Sequence, residues 1–242
     1  MNTNTKEKKV AIMQPTFLPW LGYFALMENV DYFVFLDDVQ LTKQSWQVRN
    51  KIRDAKGNTL WLTIPIKKHP LDTPINEIKV SNDKRLVKKI INSFEHCYYK
   101  CEFYSDACSL LTNHLSNDYL SDINISIIED IKETIGIRTE LFRSSELKIE
   151  SKNRAERLVE IINNFDSKYY LSPVGAREYL EIEKTKKLFN DSKIQVEYLN
   201  YVHPKYNQIG KSFIENLGII DCIANIGSEQ TLEVVKSGLV LK

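Results

Sequence analysis

The sequence has no excess of charge of either sign and no long hydrophobic run. Its 33 lysines and arginines balance 32 aspartates and glutamates, which leaves a formal net charge of +1. Such a balance provides no global field to hold nucleic acid or an anionic membrane surface. The longest apolar stretches are far shorter than the about 20 residues that a transmembrane helix needs. We therefore expect neither a membrane-spanning protein nor a nucleic-acid partner.

Cysteine is also scarce, with four residues in a chain of 242. Cys97, Cys101 and Cys108 lie in one segment and Cys222 is far away, a spacing that fits no standard pair of zinc ligands. A disulfide scaffold and a metal site are both unexpected. Residues 1–9 are polar, and no apolar segment of the kind found in signal peptides follows them. We expect a cytoplasmic protein with reduced thiols.

Motifs that carry common chemistries are missing as well. The chain has no GxSxG nucleophile elbow, no Walker A loop, no GxGxxG turn and no HExxH helix. It also shows no internal repeat and no linker rich in Pro, Gly or Ser. A chain of this length can bury a sizeable core without a disulfide or metal. Hydrophobic residues make up 43% and charged residues 27% of the chain, which is the mixture of a globular protein.

The hydrophobic pattern predicts an α/β protein. Residues 10–13 and 31–37 are short apolar runs typical of buried strands, and residues 20–30 have helical length and spacing. Strand, helix and strand in this order form a βαβ unit, which produces parallel strands. Further strands are predicted at 58–67, 138–143, 168–172 and 195–200, and helices at 83–117, 123–135, 153–165, 177–180, 212–225 and 232–237.

These elements predict one domain with a mostly parallel central sheet flanked by helices. We expect a disordered tail over residues 1–8 and a single α/β domain over residues 9–242. A mainly helical block at about residues 68–135 is predicted to form an insertion or subdomain on the sheet.

Candidate site residues follow the predicted strands. In open α/β sheets ligands bind outside the carboxyl ends of the strands. Polar and aromatic side chains of ligand-binding type cluster in these places. They are Gln14, Trp20 and Tyr23 after the first strand, Asp37, Asp38, Gln40, Lys43, Trp46, Arg49 and Asn50 after the second, Ser172, Gly175 and Tyr179 after the 168–172 strand, and Tyr201, His203, Tyr206 and Gln208 after the last.

Each candidate also has a purely structural interpretation. His203 is either a general base near neutral pH or a histidine satisfied by a backbone carbonyl. Arg49 either grips a phosphate or carboxylate or forms a surface ion pair. Adjacent residues on a strand face opposite ways, so we expect one of Asp37 and Asp38 to cap a loop while the other faces the cleft. The two prolines of residues 14–20 shape either a ligand loop or a simple turn.

The same segments resemble the WbqC-like family. The resemblance rests first on residues 14–24 (QPTFLPWLGYF), 33–40 (FVFLDDVQ) and 45–50 (SWQVRN). It continues downstream and covers nearly the whole chain from Lys9 on, with Val48 as a local departure from a polar position. The downstream segments are 75–78 (INEI), 172–179 (SPVGAREY), 201–206 (YVHPKY) and 219–227 (IIDCIANIG).

The resemblance implies a role in bacterial surface-polysaccharide biosynthesis, such as O-antigen of lipopolysaccharide or capsule. Genes of the family often lie beside genes for enzymes that make nucleotide-linked amino sugars. The implied activity is N-acyl or aminoacyl transfer onto a dTDP-linked amino-dideoxy sugar. His203, supported by Asp37 or Asp38, would then remove the proton of the amine nucleophile. Backbone N–H groups at residues 172–175 would receive the oxyanion.

In this interpretation the nucleotide sugar is the substrate and aromatic side chains hold it. Trp20, Tyr23 or Trp46 would stack on the base or on a hexose face. Arg49 and Lys43 would meet the pyrophosphate. No residue is a candidate covalent nucleophile, so direct transfer is expected.

Several alternatives stay open at this stage. The acyl donor is unknown: it is linked to coenzyme A or to an acyl carrier protein, or it is a free amino acid activated elsewhere. No basic patch for a carrier is obvious in the sequence. A carboxylate-activating or nucleotidyl-type transferase is a second enzyme hypothesis, but the HxGH-type signature is missing after the first strand. A non-catalytic scaffold of a polysaccharide assembly complex is the third. The oligomeric state is not indicated.

Overall fold

A computed structural model describes residues 7–42, 45–81 and 83–240. The strands are β1 Lys9–Met13, β2 Tyr32–Phe35, β3 Arg49–Arg53, β4 Thr59–Thr63, β5 Glu140–Arg143, β6 Tyr169–Pro173 and β7 Gln195–Leu199. The helices are α1 Leu21–Glu28, α2 Lys84–Tyr98, α3 Tyr104–Thr112, α4 Leu120–Ile135, α5 Arg154–Asn163, α6 Arg177–Leu180, α7 Glu183–Asp191, α8 Ile219–Ile226 and α9 Ser228–Ser237. Residues 1–6 of the expected tail and Lys43 lie outside the described residues.

Five of the strands form one parallel sheet in the order β5-β2-β1-β6-β7. Strand β1 is central and is covered on both faces. Ala11 packs into the larger hydrophobic cluster, while Val10 and Ile12 pack into a second cluster on the opposite face. This burial explains why β1 is continuously apolar rather than alternating. The predicted α/β fold with a parallel sheet and flanking helices is confirmed.

The order of these strands creates a topological switch point. The chain runs outward from β1 through β2 to β5, then returns to the other side of β1 and runs through β6 to β7. Connections leave the neighbouring carboxyl ends of β1 and β6 in opposite directions, which opens a crevice between them. The loop that follows β1 therefore starts where doubly wound sheets bind ligands.

Strands β3 and β4 form a separate two-stranded antiparallel sheet. The predicted strand at residues 58–67 corresponds to β4, which pairs with β3 after a turn. Asp54 closes that turn by accepting hydrogen bonds from the backbone N–H groups of Lys56 and Asn58. The charged sequence RNKIR of β3 lacks an apolar alternation, so the sequence indicates a strand-end loop there rather than a strand.

The helical block consists of α2, α3 and α4. Gly136 ends α4 in a left-handed conformation, φ 87°, which glycine adopts readily at a helix end. Asn153 is the N-cap of α5, since its side chain accepts from the N–H groups of Ala155 and Glu156. The helix predicted at 212–225 is wrong over residues 212–218, which are not helical. Helix α7 has no predicted counterpart, because only Thr185 and Phe189 of its residues are buried. Within the described ranges no helix is both long and apolar enough to cross a membrane.

Candidate functional site

The loop after β1, residues 14–20, is held in one conformation by buried amides. Leu18 has a φ of 47°, a left-handed value that is unusual for a residue other than glycine. The Asn50 Nδ2 donates to the backbone oxygens of Phe17 at 3.1 Å and Leu18 at 2.6 Å. The Phe17 N–H donates to the backbone oxygen of Trp46 at 2.9 Å. Backbone strain persists where surrounding contacts determine it, and it is concentrated at functional sites.

Two more amides fasten the start of this loop. The Gln47 Nε2 donates to Gln14 Oε1 at 2.6 Å. Asn124 Nδ2, on the fully buried face of α4, donates to the backbone oxygens of Pro15 at 3.0 Å and Gln47 at 2.8 Å. Asn124 is not among the site residues that the sequence predicts. A lone asparagine inside an isoleucine-rich helix nevertheless indicates a buried amide that needs hydrogen-bond partners. The loop is therefore pre-organised by groups from β3 and α4.

A cavity of about 300 Å³ opens at this loop, beside the carboxyl end of β1. Tyr23 borders it from α1 and directs its hydroxyl to the backbone oxygen of Gln14 at 3.2 Å. The cavity therefore brings together predicted residues from two distant segments beside the carboxyl end of β1. Its lining residues are Met13, Thr16, Pro19, Trp20, Tyr23, Trp46, Asn50 and Asn216.

His203 packs against the Trp20 ring and is not among the residues that line this cavity or the larger one bordered by Arg49. The two rings stack with centroids 6.3 Å apart and an interplanar angle of 26°, and Tyr201 packs edge-on against the same indole at 5.4 Å. His203 is only 9% exposed, and neither ring nitrogen has a hydrogen-bond partner among the described residues. Burial lowers its pKa, partly opposed by the negative charge of Glu215. The imidazole is therefore neutral at physiological pH and able to accept a proton.

Tyr206 and Gln208 belong to a buried polar network centred on Asp221. Asp221 Oδ2 accepts from the Tyr206 hydroxyl at 2.7 Å and from Gln208 Nε2 at 2.9 Å. Its Oδ1 accepts from the Tyr98 hydroxyl at 2.9 Å. The fully buried Arg53 donates to Gln208 Oε1 at 2.7 Å. This network holds the β3–β4 sheet, α2 and α8 together, and sequence reasoning identified neither Asp221 nor Arg53 as part of it.

Asp37 and Asp38 are occupied by structural partners. The fully buried Asp37 accepts from the Ser145 hydroxyl at 2.8 Å and from the Ser145 N–H at 3.0 Å. Asp38 forms an ion pair with Arg157 and a hydrogen bond with Ser144. Both carboxylates thus join the end of β2 to the turn after β5. None of their hydrogen bonds or ion pairs within the described ranges involves His203, and their expected support of that residue stays a prediction.

Gln40 and Arg49 line a second, larger cavity of about 910 Å³. Gln40 Nε2 donates to the backbone oxygen of Leu71 at 2.5 Å, which places residues 66–71 along one wall. That wall adds Lys67 and Lys68, two cations that sequence reasoning did not select. The remaining lining residues are Leu41, Thr42, Val48, Thr63, Ile66, His69 and Leu71.

The predicted residues after β6 lie apart from both cavities. Ser172 is fully buried, and Gly175 has open space where a Cβ would stand. The Tyr179 ring packs under the Arg154 guanidinium, 4.1 Å from ring centroid to Cζ, against the second hydrophobic cluster. None of the three lines either cavity as the described residues define them. Their proposed part in oxyanion binding stays a prediction.

Comparison with known proteins identifies the family of the chain. The sequence model of the WbqC-like protein family matches residues 14–233. The chain belongs to the WbqC-like family. It is 29% identical over 227 residues to a Mycobacterium tuberculosis (strain ATCC 25618 / H37Rv) protein named "Uncharacterized protein Rv1507c", covering 92% of this chain and 95% of that protein. No solved structure matches the chain.

Within this WbqC-like fold, three of the four thiols are poor nucleophiles. Burial raises the pKa of Cys97 and of Cys101 to about 11 and that of Cys222 to about 12. These side chains are protonated near neutral pH, and the thiol is not the nucleophilic form. In the part of the chain that the structure describes, no group of three His, Cys, Asp or Glu side chains could hold a metal ion.

Proposed function

We propose that this protein is an N-acyl or aminoacyl transferase that acts on a nucleotide-linked, dTDP-type amino-dideoxy sugar. The observation that carries the proposal is His203, a neutral imidazole whose two nitrogens have no partner among the described residues and which stacks on Trp20, a residue that lines the smaller cavity. The context implied by the family is surface-polysaccharide biosynthesis in the cytoplasm. The geometry supports a small-molecule site, and the resemblance supplies the substrate class.

The reaction needs an amine that loses a proton as it attacks. The amine nitrogen of the sugar attacks the carbonyl carbon of an acyl thioester, and a C–N bond forms. His203 takes the proton from the nitrogen. The carbon–sulfur bond then breaks, and the leaving thiolate receives the proton from the imidazolium. The atoms balance without a covalent acyl-enzyme, consistent with the protonated state of Cys97, Cys101 and Cys222.

Aromatic walls suit a sugar in the smaller cavity. Trp20, Tyr23 and Trp46 contribute flat apolar surfaces, while Thr16, Asn50 and Asn216 contribute polar groups. A sugar ring presents both kinds of surface, with C–H groups on its faces and hydroxyls at its edge. The cavity volume of about 300 Å³ is at the lower end of small-molecule sites, which suits one hexose-sized group.

The test is turnover by the purified protein with dTDP-linked 3-amino and 4-amino dideoxy sugars, followed by mass spectrometry of the product. Acyl-coenzyme A and acyl carrier protein are supplied in separate reactions as donors. We expect His203→Gln to lower kcat by about 100- to 10,000-fold, the usual contribution of a general base. His96→Gln, which removes an exposed histidine on α2, is the matched control. Equal turnover by His203→Gln and the wild-type protein would exclude the base role.

A second candidate function is activation of a carboxylate with a nucleotide. The strand order around β1 favours it, since doubly wound sheets with this arrangement bind nucleotides at the switch point. It predicts ATP consumption that depends on a carboxylic acid, with release of pyrophosphate. Release of pyrophosphate without N-acylated sugar would favour this alternative over acyl transfer.

A further inference from the structure

We propose that the exposed face of the β3–β4 sheet, together with the larger cavity beside it, binds the nucleoside diphosphate part of a ligand. We call this surface the Trp61 shelf, defined by Trp46, Arg49, Lys51 and Trp61. The inference deepens the proposed function and rests on it, because it assigns a place to the base and the two phosphates that such a substrate or its coenzyme A donor carries.

The shelf displays two tryptophans side by side to solvent. Trp46 is 51% exposed and Trp61 is 45% exposed, and their ring centroids lie 5.6 Å apart. Neighbouring indoles that stay this exposed form an apolar patch of the kind that marks ligand or partner sites. A planar nucleobase stacks readily on an indole face.

Strand register places cations around Trp61. Lys51 pairs directly opposite Trp61, and Arg49 lies two residues along the same strand. The Arg49 Cζ is 4.3 Å and the Lys51 Nζ 5.2 Å from the Trp61 ring centroid. Residues on one face of an antiparallel pair contact their diagonal neighbours, so this grouping follows from the pairing. Stacking on the indole pre-orients the Arg49 guanidinium for bidentate contact with a phosphate.

Arg49 also lines the larger cavity, so the shelf and the cavity are continuous. Lys67 and Lys68 line the same cavity, and no acidic residue among the described ones does. None of these three cations forms an ion pair with another described residue. Arg49 Nε is buried with no acceptor among the described residues, so the hydrogen-bonding capacity of this guanidinium is not saturated by the protein. Three such cations around a cavity of about 910 Å³ suit a diphosphate.

The shelf reaches the proposed reaction site through Trp46. Trp46 borders the smaller cavity that Trp20 lines, while Arg49, three residues further on, borders the larger one. A nucleotide-linked ligand on the shelf can therefore direct its other end into the smaller cavity, toward Trp20. Aromatic base, sugar and diphosphate are shared by dTDP-sugars and by coenzyme A, so either can supply the ligand.

Calorimetric titration of the full chain with dTDP, coenzyme A and inorganic pyrophosphate tests this site. We expect Arg49→Gln to weaken nucleotide and pyrophosphate binding about tenfold, the loss of one charge-assisted phosphate contact. Trp61→Ala should weaken dTDP or coenzyme A but leave pyrophosphate unchanged, and Trp61→Phe should restore the nucleotide affinity. Lys67→Gln, at an exposed position, is a second cation variant that removes no buried contact. Lys88→Gln, an exposed cation on α2, is the matched control and should bind as wild type.

The nucleotide whose binding is weakened by both Arg49→Gln and Trp61→Ala identifies the source of the ligand. Absence of wild-type binding to every probe, or binding that Arg49→Gln and Trp61→Ala leave unchanged, overturns the inference. Preferential binding of single-stranded oligonucleotides over dTDP and coenzyme A also overturns it. Failure of the proposed function has a different signature: nucleotide binding that depends on Arg49 and Trp61, without any N-acylated product.

Discussion

The side chain of Asn50 donates hydrogen bonds to two successive backbone oxygens, those of Phe17 and Leu18. These contacts hold Leu18 at a φ of 47° in the loop that borders the smaller cavity. A buried amide of β3 thus determines the shape of a loop more than thirty residues away, as the separations of 33 and 32 positions show. Asn50 was predicted to bind substrate, and the structure uses its amide to position the loop at the cavity.

Replacing Asn50 should therefore damage stability and binding together. Asn50→Ala leaves two buried carbonyls without a donor, and we expect the free energy of unfolding to fall by about 2–4 kcal/mol. Asn50→Asp should have a similar effect because a carboxylate cannot donate. Urea denaturation measures the change, and Asn92→Ala, at an exposed position on α2, is the control. A loss below about 0.5 kcal/mol would mean that the loop holds its conformation without Asn50.

Gly22 sets the position of the Trp20 ring. A Cβ at Gly22 would lie 2.3 Å from Trp20 Cη2, so Gly22→Ala must displace the indole. The chain has three tryptophans, and a variant that combines Trp46→Phe with Trp61→Phe retains only Trp20. In that background we expect Gly22→Ala to shift the fluorescence maximum to longer wavelength, because the ring moves toward solvent. Gly175→Ala has open space around its added Cβ and should leave the spectrum unchanged.

The buried His203 should make stability depend on pH. Burial lowers its pKa in the folded state below the ordinary value of 6.5, so the unfolded chain binds a proton more readily. The neutral imidazole's contribution is fully present above about pH 6.5 and is lost as the pH falls toward the folded-state pKa. The negative charge of Glu215 opposes this shift, and the imidazole packs against the aromatic rings of Trp20, Tyr206 and Phe213.

Urea denaturation of wild type and His203→Gln between about pH 5 and 8 isolates this contribution. The difference in unfolding free energy between the two proteins should change in favour of the variant as the pH falls below about 6.5. His96→Gln controls for the loss of a histidine at an exposed position. A difference that is constant across this range would contradict a lowered pKa at His203.

Asp221 should be important for stability rather than for catalysis. Its two oxygens accept from Tyr98, Tyr206 and Gln208 in a fully buried setting, and burial raises its pKa. Asp221→Asn turns one acceptor into a donor that faces other donors. We expect a loss of about 2–4 kcal/mol in the free energy of unfolding, against about 1 kcal/mol for Tyr206→Phe.

Denaturation curves for these two variants give the comparison directly. Asp191→Asn changes an exposed position at the end of α7. Its free energy of unfolding should stay within about 0.5 kcal/mol of the wild-type value, as is usual for surface substitutions. A loss for Asp221→Asn no larger than that of Asp191→Asn would show that the network does not stabilise the fold.

Local pattern was sufficient to predict most elements of the sheet. β1 and β2 are short apolar runs, and α5 carries its own N-cap at Asn153, so neighbouring residues determine these elements. Elements without such local signals were missed. The charged β3 is stabilised by its pairing with β4, and α7 by the packing of one buried phenylalanine, Phe189. Both depend on contacts that sequence periodicity does not contain.

The sequence by itself determined the parallel α/β architecture, the family and the segments that follow the strands, because each depends on residues close together in the chain. Only the tertiary structure decided which polar groups meet. Asn124 reaches the loop after β1 across 109 positions, and Asp221 meets Tyr98 across 123. Lys67 and Lys68 join Arg49 because β4 returns alongside β3. Such contacts arise from burial of distant apolar faces against one another, which brings polar side chains together wherever the packing places them.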